Sequence, residues 1–387
     1  MPKQTDSGVL SGPFKLIWLF YFLSFVAGFQ LFPVLPMHLR ALGATLAESG
    51  RFQAAFWMGS GLGCLFTGPL GDRLGQRRVL IAASFLFALF FLAYAAMPTR
   101  WGFYLLAPLH GVVWSALRTA AMAWIGGYLK PEQRAQGISL FGMAAPAGIA
   151  VGPLVGVWLY PHLGFATLTA GFAVLLAALA VLITRLPRVG VAATSGGGFR
   201  LPEPWVLLPA AVVFMLGFGD GPMAPYSAQE AKALHLLWPS AYLTCFALGM
   251  VGIRLLLGLV GMPRNLGRLV LAMLALALAG NLMLALLPGD QLRHVVSGLC
   301  YGAGFAMTQT LMFTYVVTRS APDRRGAGIG ALYFFFDTSV ALGSYALGLV
   351  MGQAGFRTGW MCGALVLIPA LFLALRLFVP EPEARPA

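Results

Sequence analysis

The sequence predicts an all-α membrane protein of twelve transmembrane helices, arranged as two six-helix bundles. Three observations predict it. The 387 residues are 59% hydrophobic and only 10% charged, whereas a soluble domain carries about 25% charged residues. Apolar runs of spanning length follow one another along the whole chain. The second half also repeats the first.

A span needs about 20 mostly apolar residues. The runs lie near 14–36, 47–70, 78–97, 102–128, 134–159, 164–186, 204–226, 238–260, 266–287, 292–318, 325–353 and 356–379. Turn-forming prolines fall in or near the gaps: Pro98, Pro131, Pro161, Pro263, Pro288 and Pro322. The first run is too long for a cleaved signal and is followed by further spans. With loops assigned to alternate sides, one side collects seventeen Lys and Arg and the other six. Arg118 and Arg254 fall inside spans and complete the 25. The positive-inside rule then places both termini in the cytoplasm, in a cell (inner) membrane. It also accounts for the net charge of +13 without nucleic acid as a partner. Cys64, Cys245, Cys300 and Cys362 lie in apolar segments without metal-ligand spacing, and read as small packing residues. No metal or other cofactor is expected.

Spans 4 and 5 match spans 10 and 11 without a gap at an offset of 191. Gly111 matches Gly302, Thr119 Thr310, Gly152 Gly343, and Gly164-Phe165 matches Gly355-Phe356. Gly28-Phe29 with Pro33 and Pro36 matches Gly217-Phe218 with Pro222 and Pro225 at an offset of 189. The expected units are an N-terminal bundle over 1–188, a cytoplasmic linker over 189–203 containing Ser195-Gly196-Gly197-Gly198, and a C-terminal bundle over 204–387.

Gly68 to Leu80 reads GPLGDRLGQRRVL, between spans 2 and 3. This G-x-x-x-D-R-x-G-x-R-R pattern resembles the signature loop of the major facilitator superfamily. A worn copy, GLVGMPRNLGRLVL, runs from Gly258 to Leu271 and lacks the acid. The resemblance covers essentially the whole chain. It implies that substrate lies between the halves near the bilayer midplane and that rocking exposes it to alternate sides. It also implies that Gly68, Asp72, Arg73, Gly75 and Arg77 form a conformational latch against the start of span 11. Span 5 carries Gly148-x-x-x-Gly152-Pro153-x-x-Gly156, which resembles the antiporter motif of the superfamily's twelve-helix drug/proton exporters. Ser139 and Val157 depart from it. The R-x-x-Q-G of that group is also absent, with Ala107 and His110 standing where its arginine and glutamine would be.

Charge inside a bilayer is costly, so polar residues within spans mark a pathway or a pair. Asp337 lies about twelve residues into span 11, roughly 18 Å at 1.5 Å per residue, which is midplane depth. A carboxyl away from water holds a proton more readily, as a proton carrier must. Asp220 sits among Gly217, Gly219 and Gly221, which let span 7 bend or unwind. Arg118 is central in span 4, equivalent to Gln309 in the repeat. Arg254 lies near the end of span 8 and His110 about a turn inside span 4, and both also read as structural. Gln30 is the polar group of span 1. Two acids and two arginines balance, so pairing among them is expected. Spans 3, 6, 9 and 12 are the most apolar and read as lipid-facing.

The function expected is secondary active transport of a small molecule by alternating access, as a proton-coupled exporter of amphipathic or drug-like compounds. The partners are a small-molecule substrate, protons and lipid. Aromatics and methionines such as Phe29, Trp57, Trp114, Phe214, Met215, Phe305 and Met307 suit such ligands. A symporter or facilitator for a sugar or organic acid, a lipid transporter, and a transporter-derived receptor are the alternatives. With no Walker loop, nucleophile elbow or H-E-x-x-H, an enzyme is not expected.

Overall fold

The structure, a computed structural model, describes residues 10–188, 202–261, 263, 265–321 and 324–378. Most of the expected linker therefore lies outside the described residues. The first half runs α1 (Gly12–Ala41), a single turn α2 (Leu46–Ser49), α3 (Arg51–Leu74), α4 (Gln76–Ala95), α5 (Arg100–Tyr128), α6 (Pro131–Gly142) and α7 (Ala144–Ile183). The second runs α8 (Leu207–Asp220), α9 (Met223–Ala233), α10 (Ala241–Val260), α11 (Leu266–Leu286), α12 (Gln291–Arg319), α13 (Arg325–Ala354) and α14 (Phe356–Phe378).

Local sequence sets many of these ends. Ser11 caps α1 through its side chain, with Pro13 in the first turn. Thr45 and Glu48 form a reciprocal capping box that starts α2. Asp290 accepts from the Arg293 N–H at 2.7 Å to open α12.

Eight helical stretches are long and apolar enough to cross a membrane, and one of them, Leu140–Ile183, extends for 44 residues. That one is two passes. Its backbone leaves the helix at Gly164, where φ is +73°. Helices α3, α5 and α12 are as long as the others but carry more polar residues. Counting these gives twelve passes among the described residues, six in each half.

The boundaries differ from expectation in three places. Pro161 does not mark a gap but lies inside α7, and the turn falls at Gly164. Span 5 is longer than 134–159, because α6 begins at Pro131 and continues after a break at Met143. Span 7 reaches Ala233, because α8 and α9 continue one path across a break at Gly221-Pro222.

The helix crossings repeat as the sequence does. Gly164 and Gly355, 191 residues apart, both turn the chain with positive φ (+73° and +85°). Gly111 and Gly302, at the same offset, are crossing points without room for a side chain. A Cβ on either would stand 1.9 Å from a carbonyl oxygen, of Phe56 and of Phe246 respectively. These contacts press α5 onto α3 and α12 onto α10, by the close backbone approach that small residues allow in membranes.

Between the halves, α3 packs along α13 and α7 against α10. The most apolar stretch of α1 is 72% buried and that of α14 only 28%, but α10 at 39% is less enclosed than α4 and α11 at 44% each, so the expected layering holds only in part. Asn281 of α11 is an exception to the reading of span 9 as simply lipid-facing, since its side chain is turned wholly inward.

Gly111→Ala and Gly302→Ala are each expected to cost about 1–3 kcal/mol through overpacking. Gly126→Ala, which faces open space, should stay within about 0.5 kcal/mol. Denaturant titration of the purified protein measures all three, and equal losses at the three sites would contradict the crossing assignment.

Candidate functional site

Three helices bring charge together at the middle of the fold. Helix α5 supplies Arg118, α13 supplies Asp337 and α3 supplies Ser60 and Cys64. The Arg118 guanidinium donates to Asp337 Oδ2 at 2.6 Å and to Ser60 Oγ at 3.0 Å. Ser60 Oγ donates to the same carboxylate oxygen at 2.7 Å. The Cys64 thiol lies 3.8 Å from Asp337 Oδ2 and 3.9 Å from Arg118. Ser115 donates to Cys64 and meets Thr67, so the polar strip continues along α3. Helix α13 reaches this close because a Cβ at Gly61 would meet Thr338 Oγ1 at 2.9 Å.

The pair joins one half of the molecule to the other. Asp337 is fully buried, while Arg118 keeps 16% of its side chain accessible. The guanidinium carbon lies 5.8 Å from the ring centre of Trp57, 6.0 Å from Trp114 and 5.4 Å from Tyr333. Such distances are within cation–π range. Trp57 Nε1, Trp114 Nε1 and Asp337 Oδ1 are buried and lack hydrogen-bond partners among the described residues.

The expected pairing of two acids with two arginines happens once. Asp220 ends α8, beside the break at Gly221-Pro222, and has no ion pair among the described residues. Its neighbours are Tyr242 and Tyr301. Arg254 instead donates to the Met250 carbonyl at 3.2 Å and to Thr310 at 3.5 Å. His110 is enclosed by Phe56, Phe87, Phe90 and Phe91, with Nδ1 3.2 Å from the Tyr94 hydroxyl. Gln30 is buried against Gly156, with both amide atoms unpartnered among the described residues. Gln309 is half-buried on α12.

A second buried cluster is built on Arg293, which the count of charges by side assigns to the less basic side. Its guanidinium is 1% exposed and donates to Glu230 at 2.8 Å and to the Leu284 carbonyl at 2.8 Å. Trp360 donates to the other Glu230 oxygen at 2.8 Å, and His294 lies 3.5 Å from it. The cluster ties α9 to α12 and α14. Glu230 is 63 residues from Arg293, which adjoins His294, and 130 from Trp360, so only the fold could unite them. Cys64 was likewise read as packing. Its place four residues after Ser60, on the same helix face, was the available signal.

At the end carrying α2 and α9 the halves are closed on each other. Gln53 donates to the Gly221 carbonyl at 3.0 Å, Gln229 to Ser49 at 3.1 Å, and Ser344 to the Gly50 carbonyl at 3.4 Å. The Tyr226 hydroxyl sits between Gly50 and Gly348, where a Cβ would come within 1.9 Å and 2.0 Å of it.

At the other end, the signature loop turns at Gly75, with φ +89°. Arg77 donates to the Leu186 carbonyl at 2.7 Å and also to the Thr184 carbonyl. It thereby holds the start of α4 to the end of α7, within one half, rather than reaching span 11. Arg73 is exposed, and the surroundings of Gly68 and the side chain of Asp72 lie outside the described residues. In α7, Gly148, Gly152 and Gly156 all press against the α1 backbone or Gln30, beside buried Pro153.

Residues 17–344 match the sequence model of the Major Facilitator Superfamily. The chain belongs to this superfamily. It is therefore a multi-pass membrane transporter and not an enzyme. It is 29% identical over 328 residues to an uncharacterised MFS-type transporter of Burkholderia pseudomallei, covering 80% of this chain and 78% of that one. It is also 29% identical over 139 residues to a gallate transporter of Pseudomonas putida, which spans 36% of this chain and 31% of the relative.

Among solved structures, the nucleoside transporter NupG superposes with a TM-score of 0.73 at 14% identity, covering 96% of this chain and all (100%) of that one. The human organic anion transporter MFSD10 superposes with a TM-score of 0.70 at 18% identity, covering 93% and 98%. These likenesses establish the shared fold.

Arg118→Ala leaves a buried carboxylate unpaired and is expected to cost about 3–5 kcal/mol. Adding Asp337→Asn should recover at least about 1 kcal/mol, as coupled neighbours do. A double-mutant cycle of unfolding free energies measures this, and strict additivity would contradict the pairing.

Proposed function

We propose that this transporter is a proton-coupled exporter of small amphipathic, drug-like compounds, working by alternating access in the cell (inner) membrane with both termini cytoplasmic. The observation that carries the reading is the Arg118–Asp337 pair, which joins the two halves in the interior. Protonating Asp337 removes its attraction to Arg118 and loosens one half from the other. Deprotonation draws them together. A proton thus binds the two arrangements unequally, which is what a coupling ion must do to shift their balance.

The moving bodies in this reading are 1–188 and 204–387, joined by 189–203. The clamp made by Arg77 makes the first of them stiff. Closure at the α2–α9 end supports a cytoplasm-facing arrangement, with Gly68, Asp72, Arg73 and Gly75 in the loop that closes when the halves rock the other way. Export is supported by the Gly148, Gly152, Pro153 and Gly156 stretch, whose contacts let α7 lie flush on α1. Tyr333, 36% exposed beside Arg118, offers a flat face to an amphipathic ligand, with buried Trp57 and Trp114 behind the guanidinium. Asp220, at the helix break, is the second acid able to take a coupling role. In this reading His110, Gln30, Gln309 and Arg254 support the pathway walls.

The test is transport in proteoliposomes with and without an imposed pH gradient, using a fluorescent amphipathic dye. Asp337→Asn should behave as permanently protonated. Exchange of dye across the membrane is retained, and accumulation driven by the gradient is lost. Gradient-driven accumulation equal to that of the parent would refute the role of Asp337.

A further inference from the structure

We propose a further activity for the Arg118 site: it binds an aromatic monocarboxylate together with a proton, so that acid and proton cross in the same direction. This rests on the Arg118–Asp337 switch described above but not on export.

Arg118 is the accessible partner of the pair, at 16% against none for Asp337. A solute therefore meets the guanidinium first. What an arginine accepts best is a planar anion, held by two parallel N–H donors. Around it stand the faces of Trp57, Trp114 and Tyr333. Two of these rings also carry buried indole N–H groups with no acceptor among the described residues. Unfilled donors beside a cation are a receptor for an oxygen-bearing anion, and the flat walls fit a ring attached to it. A buried donor left unfilled costs about 1–3 kcal/mol, so a ligand that fills it gains binding energy.

The coupling follows from charge. The site holds one guanidinium and one carboxylate. An incoming carboxylate takes Asp337's place on Arg118, and Asp337 is left at zero exposure. The other ionisable groups around it are Cys64 on α3, Tyr333 on its own helix and, on the Arg118 side, Tyr21 of α1. None of these carries positive charge. Ser60 stays as a neutral partner. A carboxylate without a cation and without water takes up a proton from solution, its Oδ–H bond forming as the Arg118 contact breaks. The site thus keeps its net charge, and the acid enters with a proton rather than in exchange for one. A neutral ligand leaves the pair intact and carries no such requirement.

The experiment titrates the purified full chain in detergent with sodium benzoate in weak buffer. Benzamide serves as the neutral comparator and cyclohexanecarboxylate as the acid without an aromatic ring. Tryptophan fluorescence follows binding and a pH dye follows proton uptake. Benzoate should bind with uptake of about one proton per molecule, and its affinity should rise by up to about tenfold for each unit of pH lowered while benzoate stays ionised. Both comparators should bind at least about tenfold more weakly.

Asp337→Asn should bind benzoate more tightly than the parent and without proton uptake, because the internal competitor is gone. Trp57→Phe keeps the ring, loses the N–H and should weaken binding severalfold. Benzoate binding without proton uptake in the parent, or equal affinity for benzamide, overturns the proposal. So does an absence of benzoate binding in the parent. The parent's pH dependence decides the matter should Asp337→Asn fail to fold. Because no gradient or dye is used, the titration can fail while gradient-driven dye export succeeds, and the reverse.

Discussion

A guanidinium from one half of the molecule and a carboxylate from the other hold each other at 2.6 Å in the interior. Much of the surrounding architecture is what makes that distance attainable. Gly61 brings α13 against α3, Ser60 bridges the two charges, and Gly111 seats α5 deeply enough on α3 for Arg118 to reach across. Removing two charges from water costs free energy that their attraction only partly returns, so such a pair is a poor stabiliser. It is a good switch for the same reason. Either charge left alone is far out of balance, so on the proposed mechanism a proton or a competing anion releases the contact.

Much of this was legible in the sequence. The order of spans, the repeat, and the residues Arg118 and Asp337 follow from the cost of charge in a bilayer and from the spacing of glycines. Gly164 and Gly355 turn the chain at the offset that the repeat required. Partnership was not legible. Arg118 and Asp337 are 219 residues apart, and a helical period reports which face a residue occupies, not what lies opposite.

Counting arginines by side also hid Arg293. An arginine at a span's end reads as a loop charge, and only packing of α9 against α12 and α14 turns it inward onto Glu230. In the signature loop, Arg77 closes on the end of α7 within its own half, a partner that the loop's own spacing does not reveal.

The superfamily provides a common frame on which sites vary. At 14–18% identity to NupG and MFSD10 the backbone path is preserved, and the side chains that give each member its chemistry are free to differ. Here Ala107 stands where the drug/proton exporters carry an arginine, and Arg118 lies eleven residues further along the same helix, about three turns deeper. The positive charge sits deeper in the membrane, where its counter-charge must come from the opposite half.

The Tyr226 hydroxyl rests in a notch formed by Gly50 on one half and Gly348 on the other. Tyr226 and Gly348 belong to the same half, so parting the halves lifts Gly50 off the hydroxyl and opens the side-chain-sized hollow that Gly50 leaves, at the end away from the signature loop. A phenol-like molecule lodged there would act as a doorstop. It would arrest the protein with that end open, without touching the charged centre and without competing with the cargo, which defines a route to inhibition independent of substrate identity.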